Sequence, residues 1–119
     1  MPDSTKLETF ENPRIGREYT IEIAAPEFTS VCPITGQPDF GTIILRYIPD
    51  KLCIELKSFK LYLFTFRNEG AFYETIVNQL LDDMVKLLNP LRIEIIGEFT
   101  PRGGISTTVT AEYSQENND

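Results

Sequence analysis

The order in which apolar residues change period along the chain most constrains what it can fold into. Over residues 18–25, Tyr19, Ile21 and Ile23 alternate with Thr20 and Glu22, the pattern of a strand with one buried face. Pro26 is expected to end it, because proline cannot donate to a strand ladder. Phe40 to Ile48, rich in Ile, Thr, Tyr and Leu, reads as a second strand closed by a Pro49-Asp50 turn. The period then changes. Leu56, Phe59, Leu63 and Phe66 recur at helical spacing within residues 55–66, although part of that run also fits a period of two. After Arg67-Asn68-Glu69-Gly70, Ile76, Val77, Leu80, Leu81, Met84 and Leu88 form the apolar stripe of a second helix, from about Phe72 to the Asn89-Pro90 stop. Period two returns from Leu91 to Phe99 and from Ile105 to Tyr113, with the turn Thr100 to Gly104 between them.

This ββααββ order predicts an α+β domain, a four-stranded antiparallel sheet with two helices on one face. With 119 residues the chain has room for one core. The domain is expected over residues 18–113, between a polar, loosely ordered arm (1–17) and a polar tail (114–119). An open sheet leaves two edges to protect, and pairing them between subunits into a ring is one way to do so.

Composition removes many functions. The chain has no histidine, which excludes Cys-His and Ser-His-Asp catalysis and histidine-based metal sites, so no metal is expected. Acid–base work must fall to Asp, Glu, Tyr, Lys or Cys. Eleven basic against 18 acidic residues leave a net charge of −7, which argues against direct nucleic-acid binding but permits a local basic patch for a small anion. No apolar run approaches a membrane span, and the first residues lack the regions of a signal peptide, so a cytoplasmic protein is expected. Its two cysteines, Cys32 and Cys53, are then expected as free thiols.

Chemistry concentrates in Cys32-Pro33-Ile34-Thr35-Gly36-Gln37-Pro38-Asp39. Two prolines, a glycine and a threonine favour a stiff turn or loop that holds a thiol and a carboxylate in fixed relation. At pH 7 a cysteine with its ordinary pKa of roughly 8.5 is only about 3% thiolate, so a nucleophilic thiol needs a proton acceptor nearby. The same eight residues also fit a surface turn around a half-buried cysteine, and alone they do not separate the two readings. Lys57 and Lys60 share a face of the first helix. Glu74 falls in the first turn of the second, where it complements the helix dipole.

Four stretches in this order carry a family resemblance: Cys32-Pro33-x-Thr35-Gly36-Gln37-Pro38-Asp39-Phe40; Glu55-Leu56-Lys57-Ser58-Phe59-Lys60-Leu61-Tyr62; Phe66-Arg67-Asn68 with Phe72-x-Glu74; and Phe99-Thr100-Pro101-Arg102-Gly103-Gly104. Spanning roughly Ile21 to Ser106, they resemble the NADPH-dependent 7-cyano-7-deazaguanine reductases, the QueF family of nitrile reductases in queuosine biosynthesis. The resemblance implies the tunnelling fold, with subunits joined in rings and two pentamers stacked into a decamer. It implies that Cys32 adds to the nitrile to give a thioimide and that Asp39 carries the proton. Two NADPH per turnover then supply two hydrides. Glu74, Ile54, Glu55 and Leu56 match substrate-contacting positions for the flat 7-cyano-7-deazaguanine base, and Lys57, Lys60 and Arg102 match basic positions suited to the cofactor phosphates.

Tyr73 departs from the pattern. The family commonly has histidine there as a substrate contact, whereas tyrosine can stack or donate one hydrogen bond but cannot become a cation near neutral pH. Other readings stay open: a related amidinotransferase acting on the same base in tRNA, hydrolysis of a nitrile without NADPH, and a non-catalytic module of the same fold.

Overall fold

A computed structural model describes residues 2–115. Four long strands, β2 (Ile21–Val31), β3 (Pro38–Ile48), β5 (Arg92–Arg102) and β6 (Ile105–Ser114), form one antiparallel sheet in the order β2-β3-β5-β6. Helices α1 (Leu56–Phe64) and α2 (Tyr73–Leu88) cover one face. Strand alternation sends Phe28, Ile43, Leu45, Tyr47, Ile93, Ile95 and Phe99 to that face, where each is at most 4% exposed. They meet Ile76, Val77, Leu80, Met84 and Leu88 from α2, and Phe59, Tyr62 and Leu63 from α1. The α+β layout, both helices and all four strands match the expected order.

The uncovered face is polar. Glu22, Arg46, Glu94 and Glu112 lie directly across from one another on successive strands. Arg46 bonds Glu22 at 2.6 Å and Glu94 at 2.8 Å. These exposed pairs add at most about 1 kcal/mol each. The buried apolar face therefore sets the register, since a one-residue slip would turn it to water.

Three boundaries differ from expectation. Pro26 does not end β2. The register shifts between Ala25 and Phe28, so β2 carries one extra residue against β3, and the proline sits in this bulge on an edge strand where no ladder donor is required. The expected loop from Pro26 to Asp39 thus shrinks to a tight turn: the Cys32 N–H donates to the Gln37 carbonyl (2.8 Å) and the Gly36 N–H to the Cys32 carbonyl (2.9 Å). On the other side, β5 runs on through Thr100 and Pro101 to Arg102, leaving Gly103 and Gly104 as a two-residue turn with φ of 57° and 80°.

Residues 1–17, expected as a loose arm, are folded over their described part. β1 (Thr9–Glu11) pairs with the short β4 (Leu52–Ile54), and a single 3₁₀ turn, Ser4–Lys6, precedes it. Asn12, 3% exposed, ties the segment down. Its Nδ2 donates to the Asp50 carbonyl (2.8 Å), its backbone N–H to the Lys51 carbonyl (2.9 Å), and its Oδ1 accepts from Arg14 N–H (3.0 Å) and the Tyr19 hydroxyl. Ser58 on α1 accepts from the Glu8 N–H at 2.9 Å. The bonds of Asn12 Nδ2 and of Ser58 join side chain to backbone at long sequence separation, which no local hydrophobic period announces. Of the expected tail, Ser114 closes β6, the Gln115 amide nitrogen donates to the Asn89 carbonyl at 2.8 Å, and residues 116–119 lie outside the described residues.

Gly41 faces Phe99 across β3 and β5, and a Cβ there would lie 2.8 Å from the Glu98 carbonyl oxygen and 3.0 Å from the Phe99 ring. Backbone cannot yield as a flexible side chain does, so Gly41→Ala is expected to cost about 1–3 kcal/mol of stability, read as a lower urea midpoint at unchanged m-value.

Candidate active site

The turn between β2 and β3 delivers two chemical groups to one end of the sheet. Cys32 follows directly on β2 and is partly buried. Asp39 is the second residue of β3 and is only 5% exposed. Backbone N–H groups of Thr35 and Ile34 and the Thr35 hydroxyl face the sulfur. The Thr35 hydroxyl is the strongest of the influences that hold the Cys32 thiol below its ordinary pKa, with the two N–H groups adding to it; burial and the Asp39 carboxylate push the other way. Read from sequence, Thr35 belonged only to the turn. Its second task depends on where the turn places Oγ, which composition does not show.

A buried carboxylate needs partners. Asp39 Oδ1 is ion-paired with Arg102, Nε at 2.9 Å, and accepts from the Tyr73 hydroxyl at 3.1 Å. Arg102 also donates from Nη1 to Gln37 Oε1 (3.2 Å) and from Nη2 to the Pro38 carbonyl. Tyr73 lies flat on Phe99, ring centroids 3.9 Å apart and planes 6° apart. Burial raises the Tyr73 pKa, and the bond to Asp39 adds to that, so its hydroxyl stays neutral. An open hollow of about 490 Å³ lies beside these groups, lined by Gln37, Asp39, Phe40, Thr100 and Arg102 among others. Ser30 stands directly across from Asp39 on β2, fully buried, with an unbonded hydroxyl. Ser30 carried no signal in the sequence, and Phe99 was marked only by strand alternation and as the first residue of the stretch Phe99 to Gly104.

The other sequence-derived positions fall elsewhere. Tyr47, eight residues along β3 from Asp39, accepts from the Ile54 N–H at 2.9 Å through its hydroxyl. At about 3.3 Å per residue, that puts Ile54 and its neighbours roughly 26 Å along the strand from Asp39, near its far end. Ile54 is buried at 2% exposure, whereas Leu56 is 61% exposed. Glu55 caps α1, accepting from the Lys57 and Ser58 N–H groups at 2.8 Å each, and these bonds hold its carboxyl below the ordinary range. Lys57 and Lys60 project from α1 into solvent. Glu74, also exposed, follows Tyr73 in the first turn of α2. One subunit therefore brings together Cys32, Asp39, Tyr73 and Arg102, with Glu74 next in chain. It keeps Ile54, Glu55, Leu56 and Lys57 apart from them. Arg102, expected beside the lysines, is bound to Asp39 instead.

A groove of about 370 Å³ runs between the β2 edge and α1, lined by Leu56, Phe59, Lys60, Phe64 and Arg67 against Ile23 to Thr29. The Lys60 and Arg67 cations lie 5.8 and 5.1 Å from the centre of the Phe64 ring. Flat apolar walls beside exposed cations suit a ligand that joins an aromatic base to phosphates. Among the described residues no three Cys, Asp or Glu are grouped as a metal site, and no helix is long and apolar enough to cross a membrane.

The QueF-like protein family model matches residues 38–118. A protein of Chloroherpeton thalassium named NADPH-dependent 7-cyano-7-deazaguanine reductase is 63% identical over 110 residues, which cover 92% of this chain and 95% of the relative. Proteins of the same name from Chlorobium chlorochromatii and Rhodopirellula baltica are 60% and 53% identical, each covering 92% of this chain and 95% and 91% of the relatives. Among solved structures, the apo form of the archaeosine synthase QueF-Like superposes with a TM-score of 0.73 at 22% identity, covering 78% of this chain and 91% of that one, which carries the tunnelling fold over to the present sheet and helices. With a family model over most of its length and relatives above half identity along nearly all of it, the chain belongs to the QueF-like family of NADPH-dependent 7-cyano-7-deazaguanine reductases.

Proposed function

We propose that this protein reduces the nitrile of 7-cyano-7-deazaguanine to the aminomethyl product, with NADPH as hydride donor, through a thioimide on Cys32. The observation that carries the reading is one stiff turn, closed on Cys32 by two backbone hydrogen bonds, that brackets a thiol and a buried carboxylate, Cys32 and Asp39. A nitrile carbon is a weak hydride acceptor. Adding the Cys32 sulfur across the triple bond forms an S–C bond as one C–N π bond breaks. Asp39 takes the thiol proton and passes it to the nitrogen, so it ends the step as it began. Each NADPH supplies one hydride: the first, with a proton, reduces the thioimide; the S–C bond then breaks, returning the Cys32 thiol and leaving an imine; the second, with another proton, gives the amine.

The nucleoside base is flat and neutral, and exposed Glu74 suits its ring N–H and amino groups as a bidentate acceptor. Lys57, Lys60 and Arg67 are the cations whose placement fits the cofactor phosphates, with Phe64 beside the last two. Because Ile54 to Lys57 stand near the opposite end of β3 from Cys32, a complete site requires these stretches from two copies. β2 and β6 each offer an open sheet edge through which copies can join. We therefore read the working form as a ring-forming homo-oligomer, two stacked pentamers by family resemblance. Both cysteines are free thiols, which fits the cytoplasm.

The first test follows loss of reduced-nicotinamide absorbance on adding the nitrile, with product mass as the second readout. Oxidation of about two NADPH per aminomethyl product is expected, since each hydride adds two electrons. Cys32→Ala should still bind the nitrile but form no covalent adduct; an adduct in that variant rejects the assignment. An adduct on the wild-type protein without NADPH loss would instead favour amidino transfer.

Thr35→Val keeps the side-chain shape and removes the hydroxyl that stabilises the thiolate. The Cys32 pKa then rises, less thiolate is present at any given pH, and the curve of iodoacetamide alkylation rate against pH moves to higher pH. An unmoved curve would show that the turn's N–H groups suffice. Lys57→Ala and Lys60→Ala are each expected to raise the KM for NADPH by about tenfold while changing the KM for the nitrile little. Steady-state kinetics with each substrate varied in turn decides it.

A further inference from the structure

We propose that Arg102 and Tyr73 form a clamp that gives the two oxygens of Asp39 different tasks, with Oδ1 as anchor and Oδ2 as proton carrier. This rests on the function proposed above. Oδ1 is paired with the Arg102 guanidinium, Nε at 2.9 Å, and accepts from the Tyr73 hydroxyl at 3.1 Å. One cation and one hydroxyl thus both engage this oxygen. Among the described residues nothing bonds Oδ2. At 5% exposure Asp39 has little water with which to exchange protons, so the free oxygen is the one left for the thiol and the nitrile nitrogen.

The same guanidinium bonds three consecutive residues: the Gln37 side chain, the Pro38 carbonyl and Asp39 Oδ1. The Gln37 carbonyl in turn accepts from the Cys32 N–H. Arg102 thereby fixes the turn that sets the separation of sulfur and carboxylate. A planar fork can hold three acceptors in one arrangement, which a lysine ammonium cannot. Tyr73 is itself held, flat against Phe99, whose ring is hemmed in at Gly41 and Gly97. A tyrosine hydroxyl gives Asp39 a neutral donor, leaving Arg102 as the charge partner. Arg102 and Tyr73 are then positioning residues, distinct from the phosphate contact and substrate contact that the family resemblance implies for them.

The proton balance closes on one atom. The thiol proton moves to Oδ2 as sulfur bonds carbon, one C–N π bond breaks, and the Oδ2 proton passes to nitrogen. Asp39 returns to the carboxylate.

The test mixes protein and 7-cyano-7-deazaguanine without NADPH and times adduct formation by mass. For Arg102→Gln the rate is expected to fall about tenfold or more, as a small misplacement of reacting groups costs that much. The KM for NADPH should stay within about twofold of wild type, because no ground-state cofactor contact is lost. Amide hydrogen exchange over residues 37–40 should quicken. Arg102→Lys should not restore the adduct rate. Tyr73→Phe should slow the adduct while the dissociation constant of the nitrile holds. A raised KM for NADPH with an unchanged adduct rate in Arg102→Gln would overturn the clamp and return Arg102 to the phosphates. Weaker nitrile binding with an unchanged adduct rate in Tyr73→Phe would overturn Tyr73's part. If wild-type protein forms no adduct, the proposed function fails. Exchange then judges the anchor alone: faster exchange in Arg102→Gln upholds it, unchanged exchange overturns it.

Discussion

Asp39 is a carboxylate held at the covered end of a sheet, and much of the local structure is arranged so that it can be there. Removing an ion from water is costly unless a counter-charge and hydrogen bonds replace the lost solvent. Arg102 supplies the counter-charge, alongside the hydrogen bond of the Tyr73 hydroxyl. It can do so only because β5 continues past Phe99 through Thr100 and Pro101 instead of turning early, and because the Gly103-Gly104 pair closes the hairpin without a side chain in the way. Partial exposure of Arg102 keeps its own desolvation small while the buried partner feels the full charge. The β2–β3 register, the turn from Cys32 to Gln37 and the β5–β6 hairpin therefore meet at one ion pair.

That ion pair leaves an acidic chain with few cations to spare. Arg46 and Arg92 are engaged with glutamates on the uncovered face. Lys60 and Arg67 line the groove along α1 together with Glu27, and Lys57 stands on the same helix. The stretch from Ile54 to Lys57 and the thiol sit at different places on one subunit. Strand length enforces that separation: β3 is one rigid element with Asp39 near one end and Tyr47, bonded to Ile54, near the other. A small α+β domain of this kind has no second domain to fold over its own site, and neighbouring copies are the available wall.

Much of the fold was legible because hydrophobic period is a direct record of which face is buried. Strand alternation around Ile93 and Ile95 and the stripe from Ile76 to Leu88 each survive as the core. What failed did so where a residue's local rule was overridden by its position. Pro26 reads as a strand end, yet an edge strand with a bulge tolerates it. Polar residues 2–17 read as loose, yet Asn12 and Ser58 pin them through bonds to distant backbone. In the site, Cys32 and Asp39 were visible as a thiol and carboxylate bracketing a stiff turn. Arg102 was visible as a cation but not as the partner of Asp39, because more than sixty residues separate them in sequence.

The sequence by itself determined the order of strands and helices, the turn that joins thiol to carboxylate, and the chemistry open to a chain without histidine. These depend on side-chain type and on spacing within a few residues, which local sterics and hydrophobic period express directly. Tertiary structure decided which groups meet: Arg102 and Tyr73 on one oxygen of Asp39, Thr35 on the Cys32 sulfur, Glu55 spent on capping α1, and Lys60 with Arg67 along another groove. Such pairings follow from strand order and register across the whole sheet, which emerge only when all the buried faces are satisfied together.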